Sequence, residues 1–137
     1  MKLDHIGYIT DQIENTKNGF LHLGYTSESI VDFAAHKCKV CFLRKERETT
    51  VELVEPYEDN KSLRKLLKNG VAPYHVCYEV ENIEDTIKEY SEANGFVPLS
   101  APLPAPAFNN RKICYMWSRE IGYVEFVEKK NNNYGKK

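Results

Sequence analysis

The sequence contains the same pattern twice, and this internal repeat restricts the chain to folds built from two related halves. An offset of 70 residues brings the first strand-like segment onto a later one, and an offset of 73 does the same for two further segments. The matching positions are His5 and His75, Tyr8 and Tyr78, Ile13 and Ile83, Thr16 and Thr86, Lys39–Leu43 and Lys112–Met116, and Val51–Glu55 and Val124–Glu128. We therefore expect two modules of one design that share a sheet.

The chain length fits a single domain. With 137 residues it can bury about two-thirds of the surface that the unfolded chain exposes. The repeat divides this domain, residues 1–137, into two modules of about residues 3–56 and 74–128, joined by a linker over residues 57–73. The Lys- and Asn-rich end, residues 129–137, is predicted to be a disordered tail.

Each module shows the order strand, helix and three further strands. Asp11 offers a cap for the first helix, and Asn82 offers one for its counterpart in the second module. The predicted strands are Leu3–Thr10, Tyr25–Asp32, Lys37–Leu43, Thr49–Glu55, Tyr74–Val80, Phe96–Leu99, Arg111–Trp117 and Tyr123–Glu128, and the predicted helices are Gln12–Leu23, Lys61–Lys68 and Ile83–Ala93. The Pro-rich stretch Ala101–Ala107 is predicted to form no regular ladder, because proline has no amide proton. The predicted fold class is α+β: two paired βαβββ modules forming one curved mixed sheet with helices on the outer face.

The charge distribution argues against several classes of partner. The chain has 19 basic and 20 acidic side chains, a net charge of -1 and no basic stripe, so nucleic acid is not expected as a partner. No apolar run is long enough to span a membrane, and the N-terminus enters a strand directly, so we expect a soluble cytoplasmic protein. The four cysteines are expected to be reduced core thiols. Cys38 and Cys41 lie three apart on a strand and face opposite sides, which argues against a zinc or redox pair.

Two histidines and two glutamates occupy equivalent places in the two modules. Strand alternation turns His5, Glu52, His75 and Glu125 away from the helix-facing layer and into the concave side of the sheet. Two carboxylates that meet in a buried place repel each other and lose hydration, and a divalent cation would remove that conflict. Purely structural roles for the four residues are the alternative. Two imidazoles and two carboxylates suit Ni, Co, Mn, Fe or Zn, and the residues do not choose among these metals.

Three segments together resemble the vicinal oxygen chelate superfamily. They are Leu3–Tyr8, Val51–Pro56 and Tyr74–Val80, set in paired modules that span residues 3 to 128. The chain is similar to the single-domain branch that contains glyoxalase I-like proteins and methylmalonyl-CoA epimerases. The resemblance implies that His5, Glu52, His75 and Glu125 are the ligands of one divalent metal ion.

The resemblance also implies a reaction. Glu125 would be the mobile base, with Glu52 as its counterpart on the other side, and Arg111 would bind a carboxylate or phosphate of the substrate. A surface ion pair is the alternative for Arg111. The implied activity is that of a metal-dependent lyase or isomerase acting through a metal-bound enediolate, like glyoxalase I, which converts the hemithioacetal of a 2-oxoaldehyde and a thiol to a 2-hydroxyacyl thioester.

Two other activities remain open within the same resemblance. Methylmalonyl-CoA epimerase is the first alternative, although some bacterial epimerases carry a second glutamate base where this chain has Val40. The second alternative is a non-catalytic small-molecule (antibiotic) binding protein of the same fold. The expected partner is a small-molecule thiol or thioester, and a homodimer is expected. The thiol carrier, and whether one chain or two complete the site, stay open.

Overall fold

Each half of the chain folds in the order that the repeat predicts. The computed structural model describes residues 1–130. The elements of the first module are β1 (Lys2–Ile9), α1 (Ile13–His22), β2 (Thr26–Ser27), β3 (Val31–Phe33), β4 (Cys38–Arg44) and β5 (Thr50–Pro56). The predicted second strand is thus divided into two short ones, β2 and β3.

The second module follows a short connecting helix, α2 (Lys61–Lys68). Its elements are β6 (Pro73–Val80), α3 (Ile83–Ala93), β7 (Val97–Pro98), β8 (Leu103–Ala105), β9 (Arg111–Ser118) and β10 (Gly122–Glu128). None of the helices in the described part of the chain has both the length and the apolar character that a membrane crossing requires.

All strands join one curved mixed sheet, which confirms the predicted α+β class. The main path runs β2-β4-β5-β1-β6-β10-β9-β7, with β3 beside β4 and β8 beside β9. The first strands of the two modules, β1 and β6, pair antiparallel at the centre. Each of them pairs parallel with the last strand of its own module, β5 or β10. The four central strands therefore come from the matched ends of the two modules.

The side chains of the sheet divide into two layers by strand alternation. On one face Ile13 of α1 packs with Leu53, and Ile83 of α3 packs with Phe126. The opposite face carries a separate cluster. The repeated helices cover one face, as predicted, whereas Leu63 of α2 contacts the cluster on the other face.

The last strand of each module anchors the helix of that module. Glu55 Oε1 accepts the backbone N–H of Ile13 at 2.9 Å, and Glu128 Oε2 accepts that of Ile83 at 3.0 Å. A carboxylate at this place satisfies an amide that has no partner within the helix and complements the helix dipole.

The predicted cap of α1 is wrong, and that of α3 is confirmed. Asn82 Oδ1 accepts the N–H of Asp85 at 2.9 Å. In the first module the N-cap is Gln12 rather than Asp11, and its side chain makes no capping hydrogen bond.

The prediction that residues 101–107 form no ladder is also wrong. Leu103–Ala105 pairs antiparallel with β9. The pairing is possible because β8 bonds to a neighbour on one side only, and a proline is tolerated where its missing N–H faces away from the ladder.

The end of the described chain continues the β10 pairing by one residue. Lys129 donates its backbone N–H to the carbonyl oxygen of Val80 at 2.7 Å. Most of the predicted disordered tail, residues 131–137, lies outside the described residues.

Candidate metal centre

The four central strands bring together the four side chains that the repeat singled out. His5 lies on β1, Glu52 on β5, His75 on β6 and Glu125 on β10. In the strand register Gly7 is the neighbour of both His75 and Glu52. Cys77 is likewise the neighbour of both His5 and Glu125. On each pair of neighbouring strands, the two ligands are therefore two residues out of register. They lie on the same face of the sheet, so their side chains can converge.

The polar atoms of this cluster lie at coordination-like spacing. The Nε2 atoms of His5 and His75 are 3.1 Å apart. Glu125 Oε1 lies 3.1 Å from each of these nitrogens. Glu52 Oε1 lies 3.3 Å from His5 Nε2 and 3.5 Å from His75 Nε2. Adjacent ligands of a divalent ion with bonds of about 2.1 Å lie about 3 Å apart, so these four atoms fit around one ion.

Burial makes the cluster costly without a cation. The four residues are between 0% and 4% exposed. Glu52 Oε1, Glu125 Oε1 and His75 Nδ1 are buried and make no hydrogen bond within the protein. Unsatisfied buried oxygens of two neighbouring carboxylates are strongly unfavourable. The donor set, two imidazoles and two carboxylates, balances the charge of a divalent ion and suits a first-row transition metal.

The pKa values of the four groups record the same interaction. Burial alone would lower the pKa of His5, but the charge of Glu52 and a hydrogen bond with Asp4 raise it well above its ordinary value of 6.5. The pKa of His75 is also raised against the effect of burial, because Glu125 and Glu52 place negative charge beside its ring. Burial would raise the pKa of Glu52 and of Glu125, but the histidines lower both below the ordinary value of 4.5. Both carboxylates are therefore ionised at neutral pH.

Different groups orient the two histidine rings. Asp4 Oδ2 accepts a hydrogen bond from His5 Nδ1 at 2.9 Å, which leaves the lone pair of Nε2 free for an ion. His75 has no such partner, and its ring lies directly over Gly7. A Cβ atom at Gly7 would come within 2.0 Å of His75 Cε1. The close approach of the ring therefore depends on glycine at this position.

Aromatic rings flank both histidines. Phe42 meets His5 edge-on with ring centroids 5.4 Å apart, and Tyr115 meets His75 edge-on at 5.1 Å. Phe108 stacks on His5 at 5.5 Å. The Tyr115 hydroxyl oxygen lies 3.5 Å from His75 Nε2.

The cluster opens into a cavity of about 480 Å³ on the concave side of the sheet. Glu52 and Glu125 lie among its lining residues, and most of the remaining wall is apolar or aromatic. The other lining residues are Phe33, Ala35, His36, Lys37, Cys38, Val40, Val54, Asn60, Ser62, Leu63, Tyr74, Leu99, Ser100, Ala105, Ala107, Phe108, Ile113, Tyr115 and Tyr123. No arginine of residues 1–130 belongs to this lining.

Arg111 lies away from the cavity lining. Its Nη1 atom is 3.4 Å from Glu79 Oε2 and from the carbonyl oxygen of Glu128. Its guanidinium group stands over the ring of Phe108, which does line the cavity, at 5.2 Å. The ion pair with Glu79 is the alternative that the sequence left open, and the substrate-binding role of Arg111 stays a prediction.

Several wall residues were not found from the sequence. His36, Tyr74 and Tyr115 line the cavity, and burial lowers the pKa of His36 below 6.5. The repeat matches Tyr115 to Phe42, but the position of Tyr115 directly opposite Glu125 follows from the β9–β10 register, which the sequence does not contain.

Comparisons with known proteins agree on the fold. The model of the Glyoxalase/Bleomycin resistance protein/Dioxygenase superfamily matches residues 4–115. No curated protein matches the chain. The crystal structure of the hypothetical protein BH1468 from Bacillus halodurans C-125 is 27% identical, with a TM-score of 0.80 and coverage of 96% of both chains.

Structures of methylmalonyl-CoA epimerases are also similar at lower identity. The enzyme from Mycobacterium tuberculosis is 15% identical, with a TM-score of 0.81 and coverage of 98% of this chain and 91% of that one. A variant of the Streptomyces coelicolor enzyme in complex with 2-nitronate-propionyl-CoA is 16% identical, with a TM-score of 0.78 and coverage of 96% and 99%. At these identities the likeness shows the fold alone.

Proposed function

The chain belongs to the Glyoxalase/Bleomycin resistance protein/Dioxygenase superfamily, and from this membership we propose that it is a metal-dependent enzyme that moves a proton next to a carbonyl group. The observation that carries the proposal is the buried set of His5, Glu52, His75 and Glu125, whose polar atoms lie 3.1–3.5 Å apart. The two glutamate oxygens of this set have no hydrogen-bond partner and face an apolar cavity.

A divalent ion bound by these four residues would supply Lewis-acid polarisation of a substrate carbonyl. The chain's own contribution is a base beside the substrate. Glu125 is ionised, because the histidines lower its pKa, and it lines the cavity, which makes it the proposed acceptor of the proton on the carbon next to the carbonyl. Glu52 comes from the equivalent place in the other module and is the proposed counterpart.

The first proposed reaction is glyoxalase I-like. The hemithioacetal of a 2-oxoaldehyde and a thiol would be isomerised to a 2-hydroxyacyl thioester. Such a step moves a proton between neighbouring carbons, and one base suffices for it. Val40 lines the cavity at the place where a second epimerase base is expected. Among residues 1–130, the lining has no carboxylate besides the candidate ligands Glu52 and Glu125. The absence of an additional base at Val40 favours this reaction.

Methylmalonyl-CoA epimerase activity is the second candidate. Two carboxylates at matched positions of the two modules suit removal of a proton from one face and its return to the other. The cavity wall supports the thioester carrier as well. Glutathione carries two carboxylates, whereas the lining has no arginine among residues 1–130 and its lysine, Lys37, is already 3.3 Å from Asp59 Oδ2. The pantetheine arm of CoA is uncharged next to its sulfur.

We further propose that one chain forms a complete site and that two chains form a homodimer. All four candidate ligands belong to a single chain, and their ligand atoms lie within 4.8 Å of one another, which supports the first part. Light scattering on the purified protein tests the second part. Four buried free cysteines fit a reducing compartment, which supports a cytoplasmic location.

The test starts from protein stripped of metal and reloaded separately with Ni²⁺, Co²⁺, Mn²⁺ and Zn²⁺. Each form is assayed with the methylglyoxal–glutathione hemithioacetal, with a CoA hemithioacetal, and with one C2 epimer of methylmalonyl-CoA. Glu125→Gln removes the base and should lower kcat by about 10²–10⁴-fold. Glu89→Gln makes the same change on the exposed surface of α3 and should leave kcat unchanged.

The outcomes separate the alternatives. Turnover of a hemithioacetal that Glu125→Gln loses supports the glyoxalase I-like reaction, and conversion of one C2 epimer of methylmalonyl-CoA into the other supports the epimerase. A protein that binds none of the four metals would refute the proposal and leave the non-catalytic binding protein. Metal binding and activity that survive His5→Ala, Glu52→Gln and His75→Ala would refute the ligand assignment.

A further inference from the structure

The two modules place different rings beside their histidines. Phe42 and Tyr115 are equivalent in the repeat at an offset of 73, and each packs edge-on against the candidate ligand histidine of its own module. The packing is therefore the same in both halves, and the chemical difference is one hydroxyl group. Only the second half presents a hydrogen-bond donor at this position.

The hydroxyl of Tyr115 lies at the edge of the proposed reaction site. It is 3.5 Å from His75 Nε2, the atom that would hold an ion. Tyr115 also lies directly across the strand pair from Glu125, the proposed base. Among the described residues, this is the hydroxyl that comes within hydrogen-bond distance of a candidate ligand nitrogen.

Metal binding would free this hydroxyl from His75. An ion bound at His75 Nε2 would replace this contact, and Tyr115 would keep only its hydrogen bond with Tyr74. The hydroxyl would then face the cavity at the place where the reacting part of a substrate must sit. A phenol hydroxyl at the cavity wall can donate a hydrogen bond to a substrate oxygen that lies beside it.

We propose that Tyr115 is a catalytic residue whose hydroxyl donates a hydrogen bond to the substrate oxygen that becomes negative as the proton leaves carbon. The inference rests on the proposed function. In that step Glu125 takes the proton, the C–H electron pair forms a carbon–carbon double bond, and the carbonyl electron pair moves onto oxygen. A fixed donor aimed at this oxygen stabilises the charge as it develops.

The same hydroxyl makes the two halves unequal. The substrate oxygen that becomes negative is directed towards Tyr115 in the second module. The reacting carbon then lies beside Glu125 rather than midway between Glu52 and Glu125. Glu52 and Glu125 are therefore not interchangeable, although the repeat makes them equivalent.

The experiment compares three variants loaded with Co²⁺, whose visible spectrum reports the ligands of the ion. Acetohydroxamate serves as a small mimic of the enediolate, and its affinity is measured by spectral titration. Tyr115→Phe keeps the ring and removes the hydroxyl. Tyr8→Phe makes the same change on the helix-facing side of β1, where Tyr8 packs against Phe20. The third variant combines Tyr115→Phe with Phe42→Tyr, which moves the hydroxyl to the equivalent ring beside His5 in the first module.

We expect Tyr115→Phe to bind Co²⁺ like the wild type and to bind acetohydroxamate about tenfold more weakly, because a hydrogen bond to a charged oxygen is lost. Tyr8→Phe should match the wild type in both measurements. Phe42→Tyr combined with Tyr115→Phe should recover part of the lost affinity.

Equal acetohydroxamate affinity in the wild type and Tyr115→Phe, at equal Co²⁺ affinity, would overturn this inference and leave the proposed function standing. A similar loss in Tyr8→Phe would also overturn it, because the effect would not be local. A wild type that binds no Co²⁺ would instead refute the proposed function, and this inference with it.

Discussion

The two halves of the molecule supply the same pair of candidate ligands but hold their histidines by different means. In the first half Asp4 accepts a hydrogen bond from His5 Nδ1 at 2.9 Å. In the second half His75 Nδ1 is buried without a hydrogen bond. The ring of His75 is instead fixed by contact, over Gly7 on one side and against Tyr115 on another.

The difference shows which part of the site the repeat determines. The repeat determines the backbone positions of the four ligands, which lie at matching places on β1 and β6 and on β5 and β10. The groups that orient the ligands are not repeated. Asp4 precedes His5 on β1, whereas Gly7 reaches His75 through the antiparallel pairing of β1 with β6. His5 should therefore respond to loss of the hydrogen bond with Asp4, and His75 to a larger residue at position 7.

The largest expected effect comes from filling the space under His75. Gly7→Ala places a methyl group about where the imidazole ring lies, since the Cβ would be 2.0 Å from Cε1. We expect the ring to move out of the cluster and metal affinity to fall by about 100-fold, with about 1–3 kcal/mol of overpacking strain. Isothermal titration with Co²⁺ measures the affinity, and urea unfolding measures the stability.

A matched control is available in the same half. A Cβ added at Gly19 on α1 meets nothing within 4 Å, so Gly19→Ala should bind metal like the wild type and gain up to about 1 kcal/mol of stability. Wild-type metal affinity in Gly7→Ala would show that the ring of His75 is not held by this contact.

A change of pH acts on both halves together. The raised pKa values of His5 and His75 stabilise the metal-free protein fully below pH 6.5, and this contribution is lost as the pH rises through the raised values. The lowered pKa values of Glu52 and Glu125 stabilise it above pH 4.5, and that contribution is lost as the pH falls through the lowered values. Without metal, the cluster is therefore most stabilising between pH 4.5 and 6.5.

Metal should reverse the trend at higher pH. An ion must displace the protons on the histidines, so its apparent affinity should rise with pH, by about tenfold per pH unit for each proton displaced. Thermal unfolding with and without Co²⁺ at pH 5.5, 7 and 8.5 measures both trends. Equal stabilisation by Co²⁺ at all three values would show that the histidines are not protonated in the metal-free protein.

Much of the fold follows from local sequence patterns. Alternation and helical spacing predict the long strands and the repeated helices, because each of these elements buries one face. The short elements depend on neighbours instead. Leu103–Ala105 forms a strand since β9 offers it one edge, and Glu55 serves the first amide of α1, so that Asp11 is not needed as a cap.

The candidate site divides in the same way. The histidines and glutamates could be predicted to meet, because each lies on a strand of the repeat and on the same face. Tyr115, His36 and Gly7 could not be assigned roles, since their importance depends on which residues lie across the sheet or along the cavity wall. The register between strands is a property of the folded chain, and no local pattern contains it.

The hydrogen bond that orients His5 provides a smaller test of the comparison. Asp4→Asn should lower metal affinity about tenfold, because it weakens the hold on Nδ1 and reduces the basicity of the ring. Asp11→Asn, at an exposed acid after the same strand, should leave the affinity unchanged. An unchanged metal affinity in Asp4→Asn would show that packing, and not this hydrogen bond, orients His5 as it does His75.

The smallest expected effect concerns the two helix caps, which also differ between the halves. Asn82 caps α3 through its side chain, whereas Gln12 makes no such hydrogen bond at α1. Asn82→Ala should lower the free energy of unfolding by about 1 kcal/mol, and Gln12→Asn should raise it by up to about 1 kcal/mol, as measured by urea unfolding of the metal-free protein. A destabilising Gln12→Asn would mean that Glu55 already satisfies the start of α1 and that a second acceptor disturbs it. Neither change should alter metal affinity, since both caps lie on the helix side of the sheet, away from the ligands.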